Sequence, residues 1–188
     1  INGVMCIASD VPLTVAKISN ELLLPGIPIQ SAKLAKDKLA MKIKFKEDDI
    51  PIPRFKKIDS ETQLREIIKY WGFPIVIKPA DNRGARGVLR ITEKVDLEWA
   101  WNHSMENSPS NTVMVEEFLD GPQVSTESMM VEGHCHTVGF SDRNYEFIEK
   151  YSPFIIENGG DLPSCLGSKI QSSVNDIIEK AAKSMGIE

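Results

Sequence analysis

Residues 73–88 read Phe-Pro-Ile-Val-Ile-Lys-Pro-Ala-Asp-Asn-Arg-Gly-Ala-Arg-Gly-Val and contain residue types suited to binding a polyphosphate. Lys78 ends an apolar, partly β-branched run, and the proline after it holds the lysine backbone extended. Gly84 and Gly87 allow backbone N–H groups to approach phosphate oxygens, because no Cβ atom stands in the way. We therefore predict a strand that ends in a phosphate-binding lysine, followed by a basic glycine loop that closes over the ligand.

Each of these residues also has a plainer interpretation. Lys78 alone could be a surface lysine at a strand end, and the two glycines could simply form a hairpin. Arg86 could contact a phosphate or an acidic substrate, and a solvated position at the loop tip is an equal alternative. The place of Lys78 before a proline and a glycine loop favours phosphate binding.

A pair of carboxylates in the apolar run from Thr112 to Leu119 is the second candidate group. Glu116 and Glu117 are consecutive, so their side chains point to opposite faces of a strand and one of them faces the interior. A buried carboxylate needs a partner. An adenine amino group or a basic side chain would serve.

The elements that position these groups follow from apolar spacing and turn residues. Residues 54–118 predict the order β-α-β-loop-β-α-β, which indicates a compact α+β lid. The other predicted elements are a strand at 4–8, helices from Pro12 to Leu24 and from Ser31 to Phe45, a linker at 48–53, a hairpin at 124–131 and 134–140, an extended piece at 146–156 and a helix at 168–185.

Composition narrows the class of protein. The chain has 188 residues and a formal net charge of −5, which argues against a nucleic-acid binder with a broad basic face. Its three cysteines, Cys6, Cys135 and Cys165, are far apart, which fits a reducing cytoplasm and no disulfide framework. No apolar run approaches the roughly 20 residues that a membrane helix needs, so no membrane partner is expected. The first residue is Ile1 rather than Met, and we expect the sequence to be a piece of a longer protein.

Taken in order, the motifs resemble the ATP-grasp superfamily of carboxylate–amine ligases, biotin carboxylase and the large subunit of carbamoyl phosphate synthetase. The resemblance is carried by Asp37-Lys38, by Ile77-Lys78-Pro79, by the loop Arg83-Gly-Ala-Arg-Gly-Val88 and by Val115-Glu-Glu-Phe-Leu-Asp-Gly121, with Glu127 on a later strand. It covers about residues 30–188. It implies an α+β ATP-grasp fold in three parts. These are the end of a preceding domain with linker helices at 1–52, the lid subdomain at 53–118, and an incomplete antiparallel-sheet subdomain at 119–188.

The resemblance also implies roles for individual residues in binding ATP. Lys38 and Lys78 match lysines that contact the phosphates. Glu116 matches the acid that accepts from the adenine amino group. Gln123 stands where the family often has an acid that binds the ribose, so it can bond hydroxyls but carries no charge. The other implied contacts are the phosphate loop of Gly84, Ala85, Arg86, Gly87 and Val88, and the base contacts of Glu117, Phe118 and Leu119.

The function implied is that of an ATP-dependent ligase, in which a carboxylate or bicarbonate becomes an acyl phosphate that an amine attacks. Its partners would be ATP and a small carboxylate, and a homo-oligomer is left open. The family's magnesium ligands follow the helix that residues 168–185 resemble, so we expect the Mg²⁺ ligands to lie beyond Glu188 and this piece alone to be inactive.

Two other functions remain under consideration. A non-catalytic nucleotide-binding or interaction module with the same fold is the main alternative. A kinase-like phosphotransferase ranks low, because the kinase glycine loop precedes its lysine strand. His134 and His136 lie on one face of the predicted hairpin, and solvent-facing histidines are favoured over a metal site. Arg143 and Tyr145 are substrate-facing candidates with no assigned role.

Overall fold

A computed structural model describes residues 1–7 and 9–188 of the chain, which form two compact units. The first unit contains residues 1–52, 127–138 and 166–188, and the second contains residues 53–126 and 139–165. The domain division expected from the sequence, at 1–52, 53–118 and 119–188, stays a prediction.

The helices are α1 (Pro12–Glu21), α2 (Ile29–Lys36), α3 (Lys38–Glu47), α4 (Glu61–Trp71), α5 (Leu97–Glu106) and α6 (Ser168–Ser184). The strands are β1 (Phe55–Ile58), β2 (Ile75–Pro79), β3 (Leu89–Ile91), β4 (Val113–Glu117), β5 (Gln123–Val131), β6 (His134–Arg143) and β7 (Gly160–Asp161).

The first unit contains α1, α2, α3 and α6. The single helix predicted from Ser31 to Phe45 is wrong, because the backbone of Asp37 is extended and separates α2 from α3. The Asp37 side chain accepts hydrogen bonds from the backbone N–H groups of Leu39 and Ala40, which makes it the N-cap of α3. The strand predicted at 4–8 is also wrong over residues 4–7, and position 8 lies outside the described residues.

The four-stranded sheet of the second unit has the order β1-β4-β2-β3, with antiparallel neighbours throughout. This confirms the β-α-β-loop-β-α-β order predicted for residues 54–118. One face packs against α4 and α5 and forms the apolar core, in which each fully buried Ile or Leu contributes about 1.5–3 kcal/mol. The core residues of this face and its helices are Ile58, Leu64, Ile67, Ile75, Ile77, Leu89, Ile91, Ala100, Val113 and Val115.

The opposite face of this sheet carries the polar candidates. The register pairs Val76 with Glu116 and Lys78 with Met114, so these four side chains share the face away from the helices. Their alternation with core residues explains why one strand can hold both a buried apolar row and a row of site residues.

The helices of the second unit begin and end at residues that satisfy their terminal groups. The Ser60 hydroxyl accepts from the N–H of Gln63 at the start of α4, and Gly72, with a φ of +76°, ends that helix. The Asp96 carboxylate caps α5 through the N–H of Trp99, so this helix begins at Leu97. These residues set the ends of α4 and the start of α5.

The predicted hairpin is present as β5 and β6. These strands form a second sheet with β7, which pairs with β6 in antiparallel orientation. The extended piece predicted at 146–156 is wrong. Residues 146–153 form consecutive turns held by short-range backbone hydrogen bonds, such as that from the N–H of Tyr151 to the carbonyl of Phe147. Within this segment only Phe154 forms a strand-like bridge, with Leu89. Over the described part of the chain, no helix combines the length and apolar character needed to cross a membrane.

Candidate functional site

A cavity of about 930 Å³ opens on the polar face of the four-stranded sheet within the second unit. This volume lies in the range of small-molecule sites. It brings together residues from β2, the glycine loop, the end of β4, the start of β5 and the segment after β6. Its lining residues are Pro53, Val76, Lys78, Ala85, Val88, Glu116, Glu117, Phe118, Leu119, Asp120, Gly121, Pro122, Gln123, Val124, Arg143, Tyr145, Glu146, Ile148 and Ile155.

Lys78 and Glu116 form an ion pair in the floor of this cavity. Lys78 Nζ donates to Glu116 Oε2 at 2.7 Å, and the side chains are only 17% and 9% exposed. The pair satisfies the expectation that a buried carboxylate has a partner, and here the partner is a basic side chain. A cation and an acceptor therefore sit side by side on the same sheet face, within reach of one ligand.

Glu117 points to the other side of β4. It pairs with Ile75 in the register, and its carboxylate accepts a hydrogen bond from Arg54. That bond lowers the pKa of Glu117 below its ordinary range. The Arg54 guanidinium in turn stacks on Trp71, with Cζ 5.2 Å from the ring centroid. Glu117 is thus fixed at the cavity edge by a surface ion pair.

The glycine loop has one fixed end and one exposed end. Gly87 is buried, and its carbonyl accepts a hydrogen bond of 2.7 Å from the Ser104 hydroxyl on α5. Gly84, Ala85 and Arg86 are exposed in consecutive turns, and Arg86 Nε lies 3.4 Å from Asn82 Oδ1. Ala85 and Val88 line the cavity, whereas Gly84, Arg86 and Gly87 are not among its lining residues.

The remaining predicted residues fall in different places. Phe118 and Leu119 follow β4 and line the cavity, and Gln123 lines it from an exposed position at the start of β5. Lys38 is half-buried at the first position of α3, in the first unit. Its predicted contact with phosphate stays a prediction.

Several residues that line the cavity were not predicted from the sequence, or were noted there without a role. Val76 could have been found, because it lies two positions before Lys78 on the same strand face. Arg143 and Tyr145 had been noted without a role, and both line the cavity. Arg143 donates to Glu157, and burial raises the pKa of Tyr145. Ile148 and Ile155 gave no local signal, because the turns of residues 146–153 bring them to the cavity.

Asp142, next to Arg143 at the end of β6, forms hydrogen bonds with the segment that contains Ser164 and Cys165. Its carboxylate accepts from the Cys165 N–H at 2.8 Å and from the Ser164 hydroxyl, and these bonds lower the pKa of Asp142 below its ordinary value of 3.8. A lowered carboxyl pKa adds stability that is present above pH 3.8 and is lost as the pH falls through the folded-state value.

Asp142→Asn is therefore expected to flatten the acid limb of the stability profile below pH 3.8. Urea unfolding measured between pH 2.5 and pH 7, in half-unit steps, checks this (about ten points suffice to define the limb). Glu117, whose pKa Arg54 also lowers, remains in the variant and keeps some acid dependence. Unchanged curvature in Asp142→Asn would show that this carboxylate does not contribute.

The resemblance to the ATP-grasp superfamily implies a magnesium ion, which His, Cys, Asp or Glu side chains would have to hold. Among residues 1–7 and 9–188, no three His, Cys, Asp or Glu side chains converge as metal ligands would. The expectation that the Mg²⁺ ligands lie beyond Glu188 stays a prediction. His134 and His136 are exposed on the hairpin, as predicted, and His134 Nδ1 lies 3.9 Å from Glu179 Oε2.

Comparison with known proteins connects this geometry to a family. The family model described as the ATP-grasp domain matches residues 43–135. The D-alanine–D-alanine ligase of Azoarcus sp. (strain BH72) is 26% identical over 176 residues, which are 90% of this chain and 56% of the relative. The chain thus spans about half the length of the curated relatives it matches.

Solved structures show the same fold. The L-amino acid ligase from Bacillus licheniformis superposes with a TM-score of 0.78 at 21% identity, covering 100% of this chain and 43% of that one. A biotin carboxylase from Campylobacter jejuni superposes with a TM-score of 0.77 at 19% identity, covering 98% of this chain and 42% of that one. The matched domain, the relatives and the shared fold together support membership of the ATP-grasp superfamily.

Proposed function

We propose that this chain is the ATP-binding part of an ATP-dependent ligase that activates a carboxylate as an acyl phosphate for attack by an amine. The observation that carries the proposal is the cavity of the second unit, where a buried lysine–glutamate pair, an apolar strip and a glycine loop meet. The relatives and solved structures named above are ligases or a carboxylase, which supports this class of reaction.

The two ends of the cavity suit the two ends of ATP. Phe118 and Leu119 offer apolar surface to the base, and Glu116 can accept from an exocyclic amino group. Lys78 supplies positive charge to the phosphates, and the exposed turns around Ala85 leave backbone groups able to approach them. Phosphoryl transfer needs positioning and charge neutralisation more than covalent help, which is what these residues offer.

Magnesium bound in the whole protein would neutralise charge on the transferring phosphoryl group. We assign to this chain's own residues the binding and orientation of the nucleotide. The carboxylate is taken to be small, and no residue of the cavity is assigned to it. Arg143 and Tyr145 line the cavity and remain candidates for contact with it.

Binding and turnover test the proposal separately. Calorimetric titration of the chain with ATP is expected to show binding, and the full-length protein is expected to release ADP when supplied with a suitable carboxylate and amine. Absence of nucleotide binding by both proteins would overturn the proposal. Binding without ADP release from the full-length protein, over a broad panel of carboxylates and amines, would favour a non-catalytic nucleotide-binding module.

Gln123→Glu tests the ribose end of the site. A charged acceptor forms hydrogen bonds about 1 kcal/mol stronger than a neutral amide does, so ATP is expected to bind about fivefold more tightly. Titration with ATP and with a 2′,3′-dideoxy analogue checks the assignment. The analogue lacks both hydroxyls and its affinity should not rise; an equal gain for both nucleotides would place Gln123 elsewhere in the site.

A further inference from the structure

Arg90 lies on the edge strand β3 and does not line the cavity of the candidate site. The register pairs Arg90 with Val76, and Val76 with Glu116, so all three side chains share the polar face of the sheet. The Arg90 side chain is only 15% exposed. A guanidinium this well buried needs compensating contacts, and its buried Nε forms no hydrogen bond with any residue the structure describes.

One compensating contact comes from an aromatic ring. Arg90 Cζ lies 4.8 Å from the centroid of the Phe118 ring, in cation–π geometry. Phe118 lines the cavity of the candidate site, whereas Arg90 lines a separate cavity of about 650 Å³. The cation–π stack therefore ties the Phe118 ring to a residue that does not itself line the nucleotide cavity.

Arg90 also holds the segment that forms another wall of the cavity. Its Nη1 donates to Glu149 Oε1 at 2.5 Å, and its backbone N–H donates to the Pro153 carbonyl at 2.8 Å. Ile148 and Ile155, which flank these contacts in sequence, both line the cavity. One residue on the edge strand β3 thus contacts the Phe118 ring and the turns after β6 together.

We propose that Arg90 is a positioning residue for the base end of the nucleotide site. It fixes the Phe118 ring in the orientation that contacts the base, and it does not itself touch the phosphates. The inference rests on the proposed function, because it takes the cavity to bind a purine nucleotide. It adds a cationic support for the aromatic contact that the motif order alone did not reveal.

Three ligands separate this role from a general structural one. Titrations of the chain with ATP, adenosine and inorganic tripolyphosphate are compared for the parent sequence, Arg90→Gln and Arg90→Lys. Arg90→Gln is expected to weaken ATP and adenosine binding equally, about fivefold, and to leave tripolyphosphate unchanged. Arg90→Lys keeps a cation over the ring and is expected to recover at least half of that loss in free energy.

Phe118→Leu and Glu149→Gln are the matched controls. In the Phe118→Leu background, Arg90→Gln is expected to cause no further loss, because the ring that it positions is gone. Glu149→Gln removes a contact to a 76% exposed carboxylate and is expected to change affinity less than about twofold.

Two results would overturn the inference. One is an equal loss of tripolyphosphate and adenosine binding in Arg90→Gln. The other is a full additional loss in the Phe118→Leu background. The same titrations are made with the full-length protein. If neither the unsubstituted chain nor the full-length protein binds ATP or adenosine, the proposed function fails; if either binds both ligands and its Arg90→Gln variant matches it, only the role of Arg90 fails.

Discussion

Lys78→Met is expected to weaken ATP binding about thirtyfold, because it removes a charge-assisted contact of roughly 2 kcal/mol to the phosphates. The same substitution is expected to lower the free energy of unfolding by about 3 kcal/mol, since it breaks an ion pair whose members are 17% and 9% exposed. Calorimetric titration with ATP measures the first effect, and urea denaturation measures the second.

The double variant Lys78→Met, Glu116→Gln separates the two effects. Removing both charges avoids leaving a carboxylate in a poorly solvated place, so most of the lost stability is expected to return. ATP affinity is expected to stay low, because neither the phosphate cation nor the charged acceptor for the base remains. Recovery of ATP binding together with stability would show that Lys78 acts through folding rather than through contact with the nucleotide.

Those features of the lid that depend on residues close together in the sequence could be predicted from the sequence. Ser60 and Gly72 mark the ends of α4, and alternation along residues 75–79 separates the core face from the face that carries Lys78. The glycine loop and the two carboxylates at the end of β4 could be predicted for the same reason. Each of these features depends on neighbours within a few positions in the chain.

The features that the sequence did not reveal depend on contacts distant in sequence. Arg90 stacks on Phe118, which lies 28 positions away, and no local pattern marks an arginine on a three-residue strand as an aromatic partner. Residues 146–156 have extended-strand composition, but residues 146–153 form turns, and their backbone groups bond to one another, to β3 and to the Asn158 side chain. Asp37 was noted together with Lys38, but nothing in the lysine-rich segment marked a helix boundary there, and only the capping bonds of Asp37 show that α2 and α3 are separate.

The two loop glycines looked equivalent in sequence, and the structure makes them different. Gly87 has a φ of +75°, and a Cβ there would lie 2.7 Å from Asn107 Cβ and 2.8 Å from Pro79 Cγ. Gly84 has a φ of +59°, and a Cβ there would meet nothing within 4 Å. Both positions disfavour a side chain through backbone conformation, but only Gly87 adds a clash with a rigid ring and a helix end.

Gly87→Ala is therefore expected to lower the free energy of unfolding by about 3 kcal/mol, the sum of left-handed backbone strain and overpacking. Gly84→Ala, the matched control, is expected to cost about 1 kcal/mol from the backbone alone. Urea denaturation of both variants measures the difference. Equal losses would mean that Pro79 and Asn107 yield at little cost.

The same pair separates the fixed end of the loop from its free end. Gly87 is anchored by Ser104, so its substitution should also displace Val88, which lines the cavity, and weaken ATP binding beyond what partial unfolding explains. Gly84→Ala should instead weaken ATP binding with little loss of stability, if exposed backbone at the loop tip contacts the phosphates. Titrations under conditions where both variants are folded decide this. Unchanged affinity in Gly84→Ala would restrict the phosphate contact to Lys78 and the anchored end of the loop.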